Sequence, residues 1–100
     1  MLQEAISRAE KGIIGAELGG GVIKQRISRP GQGKSSGYRS IILFRKGELA
    51  FLVYGFAKSD RANIDPDEVA SFKKLAKVYL SLSEKQIEAM IKDKKLTEIL

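Results

Sequence analysis

Between Leu18 and Lys46 the chain carries Lys24, Arg26, Arg29, Lys34, Arg39, Arg45 and Lys46, with no Asp or Glu among them. Gly19, Gly20, Gly21, Gly31, Gly33 and Gly37 are interleaved with these cations. Glycines beside fixed charges let a backbone and several cations approach one polyanion closely. The stretch therefore points to a phosphate-rich partner, nucleic acid first. Lys24 and Arg26 are two apart, so on a strand they project from one face. Like charges side by side repel unless an anion or a carboxylate lies between them. Arg39 is a planar fork that can grip a phosphate bidentately, and Tyr38 beside it can stack on a base or donate its hydroxyl. A solvated basic face with a half-packed tyrosine is the plainer alternative. The continuation of the charges through Arg29, Lys34 and Arg39 weighs against it.

The composition removes several chemistries. The 100 residues hold no Cys and no His, which excludes disulfides, a Cys or His nucleophile and an ordinary zinc site. Any proton transfer falls to Lys, Tyr or a carboxylate. Gly31-Gln32-Gly33-Lys34-Ser35 looks like part of a nucleotide-triphosphate loop, but the first glycine of that motif would fall at Ser28, and the loop joins two strands. Asp60, Asp65, Asp67 and Glu68 do not have the spacing of a calcium loop, and Asp65 and Glu68 suit a helix cap instead. No metal or cofactor is expected. The net charge of +6 and pI near 9.7 suit a nucleic acid or an anionic surface. No apolar run is long enough to span a membrane and no signal peptide is visible, so the cytoplasm is the expected compartment.

The elements that would position these cations follow from periodicity. One hundred residues make one small domain, spanning residues 1–100. Leu2, Ala5, Ile6 and Ala9 recur at helical spacing, with Gly12 as the stop. Ile13 to Gly21 reads as a Gly-rich link. Strands are expected at Val22–Ser28, Tyr38–Arg45 and Leu49–Phe56, the last apolar almost throughout and so expected to be covered on both faces. Ile23 and Ile27 are expected to point toward the core, away from Lys24 and Arg26. Lys46-Gly47-Glu48 makes a hairpin with Gly47 at positive φ. Lys58, just past the third strand, is expected near Arg39.

Two capped helices close the chain, one starting at Asp65-Pro66 with Glu68 completing a capping box, the other at Ser83 with Gln86. Lys92, Lys94 and Lys95 sit where the helix dipole favours cations. Leu96 to Leu100 reads as a short strand or a tail. The order implies an α+β fold: an antiparallel meander of three or four strands, an N-terminal helix and two C-terminal helices.

Four segments resemble the RelE/ParE toxin superfamily, in its HigB-like branch of type II toxin–antitoxin toxins: Gly19-Gly20-Gly21-Val22-Ile23-Lys24-Gln25-Arg26, Arg29-Pro30-Gly31-Gln32-Gly33-Lys34-Ser35-Ser36-Gly37-Tyr38-Arg39, Phe44-Arg45-Lys46-Gly47 and Tyr54-Gly55-Phe56-Ala57-Lys58. The resemblance runs from Leu2 to about Leu82. It implies a RelE-like domain with a concave basic sheet. It also implies endoribonuclease action on mRNA at the ribosome and a helix-turn-helix antitoxin as partner. Such proteins begin with a further strand and helix, so this chain is expected to be truncated at its N-terminus. That truncation would leave an open sheet edge, with homodimerisation through it.

Metal-free RNA cleavage needs a base for the 2′-hydroxyl, an acid for the leaving oxygen and cations for the phosphorane. On this reading Lys24, Arg26, Lys34, Arg39 and Lys58 are the catalytic candidates. Crowded cations lower a lysine's pKa, because each charge disfavours the next, so a lysine can carry the proton. Arg29, Lys34, Tyr38, Arg45 and Lys46 are the RNA-binding candidates. The alternative is a non-catalytic homologue that only binds RNA, an antitoxin or gyrase.

Overall fold

The computed structural model describes residues 2–27, 38–57 and 63–98. Helix α1 (Leu2–Glu10) precedes strands β1 (Ala16–Gly19), β2 (Val22–Ile27), β3 (Tyr38–Arg45) and β4 (Leu49–Ala57), and helices α2 (Pro66–Tyr79) and α3 (Glu84–Lys92) follow. The strands form one antiparallel sheet in the order β1-β2-β3-β4. The fold is α+β, with one N-terminal and two C-terminal helices, as the periodicity implies.

The sheet has a core on each face, because alternate residues of β2 and β3 are apolar on both sides. Val22, Ile41, Leu43 and Phe56 pack with Ile64 and Ala76 of the α2 side. Ile23 and Ile42 pack on the other face with Ala9 of α1. Ile41, Ile42 and Leu43 have no exposed surface; each such side chain stabilises the fold by about 2 kcal/mol relative to leaving it in water. Aromatic rings extend the α2 face. Phe51 meets Tyr79 edge-on at 5.5 Å between centroids, and Tyr54 lies 5.8 Å from Phe56 and 6.0 Å from Phe72. The core is thus wider than the Ile23/Ile27 face anticipated from β2 alone.

Caps set the helix ends. The Glu68 carboxylate accepts the Asp65 N–H at 2.9 Å at the start of α2. At α3, Gln86 Oε1 accepts the Ser83 N–H at 2.8 Å and Ser83 Oγ accepts the Gln86 N–H at 3.2 Å. α3 is closed just past its Asp93 C-cap by Lys94, whose φ of 62° lies in the left-handed region. There the Lys95 N–H reaches the Met90 carbonyl at 2.9 Å and the Lys94 N–H reaches Ile91 at 3.0 Å. This is the paired-bond C-cap that glycine usually serves.

Two expectations change. The Gly-rich link holds a strand: β1 pairs with β2 through Ala16–Lys24, Glu17–Ile23 and Gly19–Val22. Gly19, Gly20 and Gly21 stand at φ of 92°, 62° and 85°, a run that turns the chain tightly enough to return on itself. β4 is an edge strand and is not covered on both faces. α1 packs over β2 and meets β4 at Ala50, and Leu52 farther along β4 stays 44% exposed. Past α3, Thr97 and Glu98 form no strand. Gly47 does turn the β3–β4 hairpin at φ 75°.

Beside β4 lies an open groove of about 840 Å³, lined among others by Ile6, Phe51, Val53, Ile87, Ile91 and Leu96. No helix among the described residues is long and apolar enough to cross a membrane.

Candidate nucleic-acid interface

Arg26 and Arg39 are register partners across the β2–β3 ladder, and Lys24 is paired with Ile41 two steps along. Directly paired residues share a face, and so do residues two apart on a strand. Lys24, Arg26 and Arg39 therefore stand together on the α2 face. They continue the row that begins with Val22, Ile41 and Leu43, at the point where the helix no longer covers the sheet. All three are half-buried, so their stems lie along apolar surface and their charges are held in place. Lys24 Nζ donates to Asn63 Oδ1 at 3.1 Å, and that same oxygen accepts the Ile64 N–H at 2.9 Å. The segment entering α2 is thus tied over the cation face.

Among the described residues, one ion pair forms, between Arg45 Nε and the Glu48 carboxylate. Lys24, Arg26 and Arg39 have no carboxylate partner there. Opposed like charges on a sheet cost stability unless an anion joins them.

The structure separates some residues that lie close in sequence. Tyr38 is 40% exposed, but it neighbours Arg39 on a strand and so projects from the opposite face, with Ser40 and Ile42. Arg45 and Lys46 lie at the far end of β3, about 20 Å from Arg39 at strand rise, and Arg45 is held by Glu48. Arg29, Lys34 and Lys58 fall outside the described residues. Ile27, Tyr38 and Ala57 are register partners, so β2 and β4 end where β3 begins, one step from the Arg26–Arg39 pair.

Two residues at the site were not anticipated from the sequence. Gln25 is 3% exposed. Its Nε2 donates to the carbonyls of Ala5 at 3.0 Å and Ile13 at 2.9 Å, and its Oε1 accepts the Gly15 N–H at 2.8 Å. One amide thereby ties α1 and the segment before β1 to the strand that carries Lys24 and Arg26. A Cβ on Gly15 would stand 2.8 Å from the Lys24 carbonyl oxygen, so only glycine lets this segment approach so closely. Arg8 of α1 also reaches β2, where its Nη2 donates to the Arg26 carbonyl. A polar residue between Ile23 and Ile27 on the α1-facing side of β2 is a visible signal for Gln25. Nothing in the sequence links Arg8 to Arg26.

The chain matches the family model of the RelE toxin of the RelE/RelB toxin–antitoxin system over residues 1–99. No curated protein and no solved structure matches it.

Proposed function

Since the chain belongs to the RelE toxin family, we propose that it is a HigB-like endoribonuclease that cleaves mRNA on the ribosome, in the cytoplasm, and is neutralised by a helix-turn-helix antitoxin. The observation that carries this reading is the Arg26–Arg39 pair with Lys24 on the same face and no carboxylate partner among the described residues. A bound phosphodiester is the anion that such a face calls for.

The reaction needs no group the chain lacks. The RNA 2′-oxygen attacks the adjacent phosphorus while a base takes the hydroxyl proton. The bond to the 5′-oxygen breaks as an acid protonates that oxygen, leaving a 2′,3′-cyclic phosphate and a 5′-hydroxyl. Arg26 and Arg39 grip the non-bridging oxygens and offset the charge that builds on the phosphorane. Lys24 is placed to move a proton or add charge, and Lys34 and Lys58 are the further candidates, with Arg29 on the backbone of the RNA. Tyr38, Arg45 and Lys46 contact RNA beyond the cleavage site in this reading, because Tyr38 projects from the opposite face and Arg45 and Lys46 lie at the far end of β3.

The protein surface suited to a second copy is the outer edge of β4. Leu49–Ala57 holds no charged residue and no proline, the devices that normally protect an edge. Two copies can pair β4 to β4 without opposing like charges.

The test is expression of the chain followed by mapping of cellular mRNA ends. Cleavage lost on Arg39→Ala supports the reading. RNA that is bound but stays intact favours instead a binding module for RNA, antitoxin or gyrase.

A further inference from the structure

β2 is longer than its partner β1. The pairing stops at Lys24, so the outer edge at Gln25–Ile27 has no strand beside it among the described residues. Side chains close that edge instead: Gln25 ties down Ile13 and Gly15, and Arg8 crosses from α1 to the Arg26 carbonyl. Between them lies a cavity of about 390 Å³, within the size range of small-ligand sites. Four cations line it: Arg8, Lys24, Arg26 and Arg39. No carboxylate does so among the described residues. The Nε of Arg8 is buried and has no acceptor among them. A buried charged donor without an acceptor is costly, and so is a cluster of cations without an anion; a phosphate group answers both.

We propose that this cavity is a second phosphate subsite, in which Arg8 binds a phosphate of the RNA next to the one gripped by Arg26 and Arg39. The inference rests on the RNA reading above but adds a residue and a place. α1 supplies the cation from outside the sheet, and the RNA backbone bends round the β2 edge from the sheet face into the cavity. Arg8 suits the task because its guanidinium is already held by the Arg26 carbonyl, so little side-chain freedom remains to be lost on binding.

Inorganic phosphate, titrated into the isotopically labelled chain, tests the cavity by itself. The expected result is saturable movement of the Gly15, Ala16 and Gln25 amide signals in the wild type and its loss in Arg8→Gln. No movement in the wild type overturns the proposal, whatever the variant does. A single-stranded RNA with 2′-O-methyl sugars, which cannot be cleaved, tests the link to RNA. Arg8→Gln should weaken its binding about tenfold, as loss of one charged hydrogen-bonded contact does. The salt slope should fall by about 0.7, the contribution of one phosphate on a single strand. Arg8→Lys keeps the charge and should keep the slope. An unchanged slope in Arg8→Gln overturns the subsite. Should Arg8→Gln fail to fold, the wild-type phosphate titration and Arg8→Lys still decide. Unchanged RNA affinity in Arg39→Ala would overturn the RNA reading, and the phosphate titration would still report on the cavity.

Discussion

Arg26 and Arg39 face each other directly across the β2–β3 ladder, with no carboxylate partner among the described residues. Residues so paired have Cβ atoms about 5 Å apart, and two cations at that spacing cost about 0.5 kcal/mol. A fold built for stability alone would place an acid at one of the two positions. Arg39→Gln keeps the apolar stem and removes the repulsion. It should raise the melting temperature by about 2–4 °C, the shift that such an energy gives in a domain of this size. The same variant should lose growth arrest. Thermal unfolding followed by circular dichroism, run beside a toxicity assay, checks both halves; a lower melting temperature would show that the pair is not strained.

Gln25 replaces a strand at the open part of the β2 edge. Gln25→Leu removes the partners of the Ala5 and Ile13 carbonyls and of the Gly15 N–H. Backbone groups left unpaired cost about 1–3 kcal/mol each when buried. The Ala5 bond is buried and the other two are only partly covered, so a total loss of about 3 kcal/mol is expected. Urea unfolding measures it, and a change below about 1 kcal/mol would mean that water replaces the amide readily.

Lys94 holds a left-handed backbone at the end of α3 with φ 62°. A side chain there costs about 1 kcal/mol relative to glycine. Lys94→Gly should therefore stabilise the protein by about that amount, partly offset by a more flexible unfolded chain. The same urea titration checks it, and destabilisation would contradict the C-cap described here.

How much of this was legible in the sequence differs from element to element. β3 was readable residue for residue, because Tyr38 to Arg45 alternates into two buried faces and is bounded by Gly37 and the Gly47 turn. The α2 and α3 starts were readable because a cap depends on neighbours three residues apart. β1 was not, since Ala16–Gly19 is too short for a period to show and the glycines after it read as a link. The shared face of Lys24 and Arg26 followed from spacing alone, but its meeting with Arg39 needed the register. Tyr38 lies on the face opposite Arg39, which alternation along the strand implies. The Arg8 and Gln25 contacts join segments 10 to 20 residues apart, and no local pattern encodes such a pairing.

The outer side of β4, beside which no strand lies among the described residues, leads to a prediction about assembly. With nine uncharged residues and Leu52 exposed, the strand should pair with that of a second copy. Light scattering should give twice the 11.0 kDa chain mass at high concentration. Leu52→Lys sets a charge on the exposed apolar surface beside the pairing edge and should return the mass to that of one chain without loss of helix signal. A wild-type chain that stays monomeric would rule out the pairing.

The cation face of β2 and β3 is proposed to cut RNA. The most direct measurement is incubation of the purified chain with mRNA on translating ribosomes, followed by analysis of fragment ends. Fragments with 2′,3′-cyclic phosphate and 5′-hydroxyl ends are expected from the wild type and not from Arg39→Ala. Intact mRNA with the wild type, or equal cleavage by Arg39→Ala, would contradict it.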